Sequence, residues 1–200
     1  MEFRCVPVGE MQANAYVVFQ PERPDALVID PGAEPEAIRL ALEGRRLAAI
    51  VLTHGHVDHI GAVASLRGPD VPVAIHAADA AMLTHPNLSL SVMFGGAPSQ
   101  GEADLLLEEG DLLLAGVPFS VLHTPGHTPG GICLRCGDDL FTGDTLFCRG
   151  YGRTDLPGGD EQALMRSLRR LLALEEGVRV HPGHGPSTTI GRERRVYGLP

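Results

Sequence analysis

The sequence predicts a protein of mixed α and β class whose strands and helices pack in layers. Short apolar segments of strand length alternate along the chain with segments whose apolar residues recur at helical spacing. The clearest helical pattern has Leu164, Leu168 and Leu171 on one side and charged residues on the other. A length of 200 residues with 44% hydrophobic residues suits one globular unit, so we expect a single domain over residues 1–200.

The individual elements follow from local composition. The continuous apolar run at 47–52 has the length of a strand and no polar face, which is typical of a buried strand. Residues 86–101 mix Pro, Gly, Ser and Asn, and we expect a loop or flap there. The predicted strands are 1–8, 15–19, 26–29, 47–52, 71–76, 112–114, 119–123, 133–134, 140–141 and 178–180. The predicted helices are 35–43, 60–66, 77–83, 161–174 and 190–196.

Charge and hydropathy limit the classes of partner. A formal net charge of −9 argues against nucleic acid, because binding phosphates requires a basic surface. The longest apolar stretches are far too short to cross a bilayer, so we expect no membrane partner. The first residues lack an apolar run of signal-peptide length, and we therefore expect a cytoplasmic protein.

The sequence contains four cysteines, Cys5, Cys133, Cys136 and Cys148. Cys133 and Cys136 have CxxC spacing, but no second CxxC or nearby histidine pair completes a structural zinc site. In an extended segment, residues three apart point to opposite faces, which disfavours a shared metal. We expect free thiols, at least one of them buried.

A dense histidine run, Thr53-His54-Gly55-His56-Val57-Asp58-His59, comes directly after the apolar strand at 47–52. His54 and His56 are two residues apart, so on extended backbone they project to the same side. If a helix begins just after them, Asp58 and His59 lie in its first turn and face a neighbouring point. One segment thus supplies two ligands to each of two metals, at the separation of about 3.5–4 Å that is usual for two-metal sites.

Three further candidates follow predicted strands and lie beside glycines, where backbone approaches an ion closely. They are His127 in HTPGHTPG, Asp144 in FTGDT and His184 in HPGHGP. The carboxylate of Asp144 has two oxygens and can bridge two metals. His54, His56 and His127 with Asp144 give one set of ligands, and Asp58, His59 and His184 with Asp144 give the other, which leaves a position for water between the ions.

The sequence resembles the metallo-β-lactamase superfamily and, within it, the short single-domain glyoxalase II-like (hydroxyacylglutathione hydrolase-like) enzymes. The motifs that carry this resemblance are THGHVDH, HTPGHTPGG, FTGDTLF, GRTDLPGGD and HPGHGPST, together with Asn14-Ala-Tyr and Leu27-Val-Ile-Asp30-Pro-Gly. They occur in the family's order and cover nearly the whole chain. The resemblance implies an α+β fold, the four-layer αββα sandwich, with the metals at one edge.

The ligands and the resemblance together indicate a metal-dependent hydrolase. A hydroxide that bridges two divalent ions stays nucleophilic at neutral pH, and Asp58, both ligand and catalytic residue, can hold its proton. A thiolate leaves without a strong general acid, so a small acyl-thioester such as S-lactoylglutathione is the expected substrate. The His and Asp ligands favour zinc, and iron or manganese also accept such ligands.

Five residues outside the ligand set are assigned supporting parts. Asp30 resembles the family's aspartate that buttresses the first metal-binding loop, and His123 is expected to support a ligand unless it is a surface residue. Arg153 aligns with the basic residue that glyoxalase II-like enzymes place near the substrate. An equally open interpretation is a structural ion pair with nearby acidic residues. Tyr151 and Phe147 are expected to line the same pocket.

Rival functions remain open at this stage. Persulfide dioxygenases resemble the sequence too, and the resemblance implies one iron held by His54, His127 and Asp144, a facial triad. Lactonases and tRNA-processing nucleases of the superfamily share the His-x-His-x-Asp-His run, although the negative charge argues against a nuclease. A β-lactamase is disfavoured by His59 and by the lack of a signal peptide, and a catalytically idle metal-binding module by the complete ligand set.

Overall fold

The computed structural model describes residues 1–94 and 99–197. Six strands form a first sheet in which their spatial order equals their order along the chain. These strands are β1 (Glu2–Val8), β2 (Ala13–Phe19), β3 (Asp25–Ile29), β4 (Arg46–Val51), β5 (Val73–His76) and β6 (Leu105–Leu107). The pairs from β1 to β3 are antiparallel, and those from β3 to β6 are parallel.

A second six-stranded sheet faces the first. Its strands, in chain order, are β7 (Gly110–Leu114), β8 (Val117–His123), β9 (Ile132–Cys136), β10 (Asp139–Gly143), β13 (Arg179–Pro182) and β14 (Thr188–Thr189), and the hairpin of β11 (Leu146–Phe147) and β12 (Gly150–Tyr151) stands apart. Their spatial order is β14-β13-β10-β9-β8-β7. Only β10 and β13 pair parallel among these described strands.

Short helices cover the outer faces of the two sheets. They are α1 (Pro35–Ala41), α2 (Val57–Ile60), α3 (Val63–Leu66), α4 (Glu161–Leu172) and α5 (Ile190–Val196), with 3₁₀ turns at Ala77–Leu83 and Ser91–Phe94. The side chain of Asp160 caps α4 by accepting the backbone N–H of Ala163 at 2.9 Å. Within the described residues, no helix is long and apolar enough to span a membrane.

Three hydrophobic cores separate four layers. Strand β4 is buried on both faces, because Ile50 packs toward the helices of the first sheet and Val51 packs between the sheets. Phe141 of the second sheet lies in the same central core as Val51. Its neighbour Leu140 packs on the other side against Leu168 of α4. The result is the αββα sandwich, and the predicted fold class is confirmed.

The predicted elements are present, and the differences have local causes. The single helix predicted over 60–66 is split into α2 and α3, because the backbone N–H of Ala62 donates to the carbonyl of Pro31 (2.9 Å). The segment 77–83 is a 3₁₀ helix. Strands β6, β11, β12 and β14 were missed, since each is only two or three residues long, too short to show a strand pattern in the sequence.

The loop expected at 86–101 is described only in part. Ser91–Phe94 forms a 3₁₀ turn, and residues 95–98 lie outside the described part of the chain. All four cysteines are free, and Cys133 is buried, as expected. Cys133 and Cys136 lie on one strand, β9.

Candidate metal centre

The predicted ligands converge at one edge of the sandwich, each one just beyond the end of a strand. His54 and His56 follow β4, His127 follows β8, Asp144 follows β10 and His184 follows β13. Loops at strand ends are free of ladder hydrogen bonds, so their side chains can turn toward a common point while the sheets hold the backbone.

The run from His54 to His59 folds as its spacing predicts. The backbone at His56 is extended and forms the N-terminal cap of α2, so Asp58 and His59 lie in the first turn of that helix. The ring centroids of His54 lie 5.0 Å from those of His56 and 4.2 Å from those of His59. One short segment therefore presents four ligands to two adjacent points.

His54, His56 and His127 form the first group. Their ligand nitrogens lie within 4.8 Å of one another, and Nδ1 of His56 lies 2.9 Å from Nε2 of His127. Burial, together with the neighbouring histidines, lowers the pKa of His54 and brings the pKa of His56 to about 3. The imidazoles of His54 and His56 are therefore neutral at pH 7, which is the state that binds a metal.

Asp58, His59 and His184 form the second group, again within 4.8 Å. Nε2 of His184 lies 3.1 Å from Oδ2 of Asp58 and 3.3 Å from Nε2 of His59. Burial alone lowers the pKa of His59, but Asp58, Asp144 and Asp30 outweigh it and raise the pKa to about 10. Several carboxylates thus draw positive charge to this point of the site.

The carboxylate of Asp144 lies between the two groups. Oδ1 is 3.4 Å from Nε2 of His59, and Oδ2 is 3.5 Å from Nε2 of His127. Gly183 makes this approach possible, since a Cβ at that position would lie 2.3 Å from Oδ1 of Asp144. A single carboxylate therefore faces both groups, as a bridging ligand must.

Unpaired polar atoms test whether these residues suit a metal. In the described part of the chain, Nε2 of His54 and Oδ1 of Asp144 are buried and lack a hydrogen-bond partner. Leaving such atoms unpaired is costly, and metal coordination is one way to satisfy them. The neutral imidazoles of His54 and His56, with the carboxylates of Asp58 and Asp144 at the second group, fit a dinuclear site for divalent metals.

Asp30 supports the segment that carries His54 to His59. Its carboxylate accepts the backbone N–H of Thr53 at 2.7 Å and the Thr53 hydroxyl at 2.6 Å, and it lies 3.0 Å from Nδ1 of His59. Asp30 also lies within 4.8 Å of the ligand atoms of His54 and His59. Because its oxygens are already engaged, we interpret Asp30 as a support for His59 rather than as a ligand.

Two supports were missed by sequence reasoning. The backbone carbonyl of Arg153 lies 2.7 Å from Nδ1 of His127 and can accept its proton, which leaves Nε2 for a metal. The fully buried carboxylate of Asp79 accepts the N–H of Gly130 at 2.6 Å and that of Gly55 at 3.3 Å. Neither partner of Asp79 is near it in sequence, so no local motif indicates this contact.

The motif Asn14-Ala-Tyr anchors the His184 loop. Nδ2 of Asn14 donates to the carbonyls of Pro182 and Gly185, both at 2.9 Å, and the hydroxyl of Tyr16 donates to Pro182 at 2.7 Å. These bonds hold the end of β13 against β2, and they fix the position from which His184 reaches the centre.

The side chains of His123 and Arg153 contact partners other than the ligands. The His123 ring stacks on His76 with centroids 4.1 Å apart, and its Nε2 lies 3.0 Å from the Pro129 carbonyl oxygen. These contacts correct the expectation that His123 supports a ligand. The Arg153 guanidinium binds both oxygens of Asp155 at 2.6 and 2.7 Å, which is the ion pair that the sequence left open.

A cavity of about 390 Å³ opens directly over the centre. Tyr151, Phe147 and Arg153 all line it, together with the ligands His56, Asp58, His127, Asp144 and His184. The volume lies in the range of roughly 300–1,000 Å³ that is usual for small-molecule sites.

Comparison with known proteins agrees with this geometry. The family model of the metallo-β-lactamase superfamily matches residues 8–184. A probable metallo-hydrolase of Bacillus subtilis, YqgX, is 38% identical over 97% of this chain and 95% of its own length. The hydroxyacylglutathione hydrolase GloC of Haemophilus influenzae is 36% identical over 98% of this chain and 96% of its own.

Solved structures match over the same extent. The B3 metallo-β-lactamase BLEG-1 superposes with a TM-score of 0.91 and 40% identity, covering 97% of both chains. TTHA1623 in a di-iron-bound form gives a TM-score of 0.87 and 42% identity over 96% of this chain and 98% of its own. Family match, fold and convergent candidate ligands agree: this chain belongs to the metallo-β-lactamase superfamily.

Proposed function

We propose that this protein hydrolyses thioesters, with S-lactoylglutathione as the reference substrate. The observation that carries the proposal is the Asp144 carboxylate, which faces His59 at 3.4 Å and His127 at 3.5 Å. Two ligand groups that share one carboxylate would hold two divalent metals, which would supply an activated water and a Lewis acid for an acyl substrate. The likeness to a hydroxyacylglutathione hydrolase supports a thioester among the possible acyl substrates.

The ligand residues would hold two divalent ions, zinc by the chemistry of the ligands and iron or manganese as alternatives that the same ligands accept. When bound, such ions supply Lewis acidity and lower the pKa of water toward about 7. Similarity to a di-iron form of another protein keeps iron among the candidates.

The side chains of the chain itself have two tasks in this proposal. Asp58 is a ligand whose carboxylate also accepts a hydrogen bond from the attacking water and orients it. His59 and His184 keep the pKa of Asp58 below the usual value against the effect of burial, so the carboxylate stays ionised at neutral pH. The leaving thiolate needs no general acid, which agrees with a centre that offers only ligands.

Substrate binding is proposed for Arg153 and Tyr151 at the side of the cavity. The Arg153 guanidinium binds Asp155 on the surface, so it serves a substrate carboxylate only by exchanging that partner. Asp155→Asn frees the guanidinium, and we expect it to lower KM for S-lactoylglutathione while leaving kcat unchanged.

The test is thiol release from S-lactoylglutathione by metal-loaded protein. We expect turnover that is lost in Asp144→Ala and kept in Asp111→Asn, a matched carboxylate change on the exposed strand β7. Oxygen uptake with glutathione persulfide, one iron per chain and no thiol release would instead establish a mononuclear-iron dioxygenase. Turnover of lactones but not thioesters would establish a lactonase.

A further inference from the structure

The cavity over the metal centre has a polar floor and apolar walls. The floor consists of the ligand side chains described above. The walls come from three separate loops, and their large side chains are Met11, Leu90, Met93, Phe94, Phe147 and Leu156. Thioether, aliphatic and aromatic groups offer contact area but almost no hydrogen bonding.

Several of these wall residues are exposed to solvent. Met93 is 70% exposed, Phe94 55% and Met11 40%. Large apolar side chains grouped around a cavity mark a binding site for an apolar group. Met11, Met93 and Phe94 also border a second cavity, of about 480 Å³, on the far side of the same wall. The apolar surface therefore extends from the cavity over the metal centre into the second cavity.

Charge around the cavity points the same way. Among the described residues that line it, Arg153 is the only Lys or Arg, and Asp155 binds its guanidinium with both oxygens. The chain carries a net charge of −9. An anionic or peptide-like part of a substrate thus finds few partners in this cavity, whereas a hydrocarbon chain loses nothing there.

Resting on the proposed thioester hydrolysis, we propose that the cavity binds the acyl arm of the substrate and selects apolar acyl chains. The thioester carbonyl lies over the ligands at the floor, and the acyl chain runs along Met93, Phe94 and Leu156. The polar thiol arm points out of the cavity toward solvent. Lactoyl is then a short substrate, and medium-chain acyl groups are better ones.

The test is a series of S-acylglutathiones that share one leaving group: acetyl, lactoyl, butanoyl and octanoyl. Burial of each methylene raises kcat/KM by roughly two- to fourfold until the cavity is full. In the metal-loaded protein, S-octylglutathione, a thioether without the reacting carbonyl, binds at least about tenfold more tightly than S-methylglutathione by calorimetry.

Met93→Ser lowers the ratio of octanoyl to acetyl kcat/KM and weakens S-octylglutathione binding. Leu113→Ser is the matched control, because Leu113 is also 70% exposed but lies on β7, away from the cavity. Thioester turnover that is flat or falls with chain length overturns the inference. Failure to cleave any member of the series overturns the proposed thioester hydrolysis itself.

Discussion

Asp79 gives the sharpest test of how the ligand loops are held. Its two oxygens accept one N–H from Gly55, between the ligands His54 and His56, and one from Gly130, which follows His127. A single buried carboxylate thus ties together the two loops that supply the first metal group. Asp79→Asn keeps the shape of the side chain and replaces one acceptor with an NH₂ donor.

The structure sets the size of the effect. An Asn at this position can accept only one of the two N–H groups, and a buried donor without a partner costs about 1–3 kcal/mol. Burial raises the pKa of Asp79, so a neutral amide recovers part of that loss. We therefore expect the free energy of unfolding to fall by about 1–2 kcal/mol. Metal affinity should fall by roughly 10- to 100-fold, as for other residues that orient ligands.

Urea unfolding of the metal-free protein measures the first quantity, and competition with a chelator measures the second. Asp111→Asn, on exposed strand β7, is the control and should change stability by less than about 0.5 kcal/mol. If Asp79→Asn matches the wild type in both assays, the carboxylate does not hold the loops, and the reasoning is refuted.

Three further changes probe the supports and the packing. Asp30→Ala removes the group beside Nδ1 of His59 and should lower metal affinity about 10- to 100-fold in the chelator assay, whereas unchanged affinity would exclude this support. Gly126→Ala adds a Cβ 2.3 Å from the backbone of α4 at a φ of +140°, so thermal unfolding should show a loss of about 3 kcal/mol or more. Asp139→Asn weakens the ion pair with Arg179 (2.7 Å) and should cost about 1 kcal/mol at neutral pH. Burial raises the pKa of Asp139, but its hydrogen-bonded and charged partners outweigh burial and lower that pKa overall. The ion pair therefore stabilises the fold above the unfolded-state pKa of about 4, and this stabilisation is lost as the pH falls further. A stability difference between Asp139→Asn and the wild type that stays constant from pH 7 to pH 3 would contradict this.

Sequence reasoning succeeded where structure is local. The run from His54 to His59 is short, and its spacing on a strand end followed by a helix turn fixes the directions of four side chains. The pattern of a histidine or aspartate beside glycine, after a predicted strand, singled out His127, Asp144 and His184. The pattern is informative because strands that end at the same edge of the sandwich bring the residues after them close together. The alternation of strands and helices indicated a layered mixed α and β class, and the αββα sandwich came from the family resemblance.

The missed features depend on partners far apart in the chain. Asp79 lies in a segment with ordinary helical composition, and only the folded chain brings Gly130 to its carboxylate. The support of His127 is a backbone carbonyl of Arg153, which no side-chain motif can reveal. The sequence also could not choose between a substrate contact and an ion pair for Arg153, because its long side chain can reach either partner.

Metal content tests the central claim, two metals held by the converged histidines and aspartates, most directly. Elemental analysis of protein purified without chelator should give about two divalent ions per chain. His59→Ala should reduce that number to about one, and Asp144→Ala should weaken both sites, as measured on the same preparation. A wild-type chain that holds no metal would contradict the account, and so would variants whose metal content equals that of the wild type.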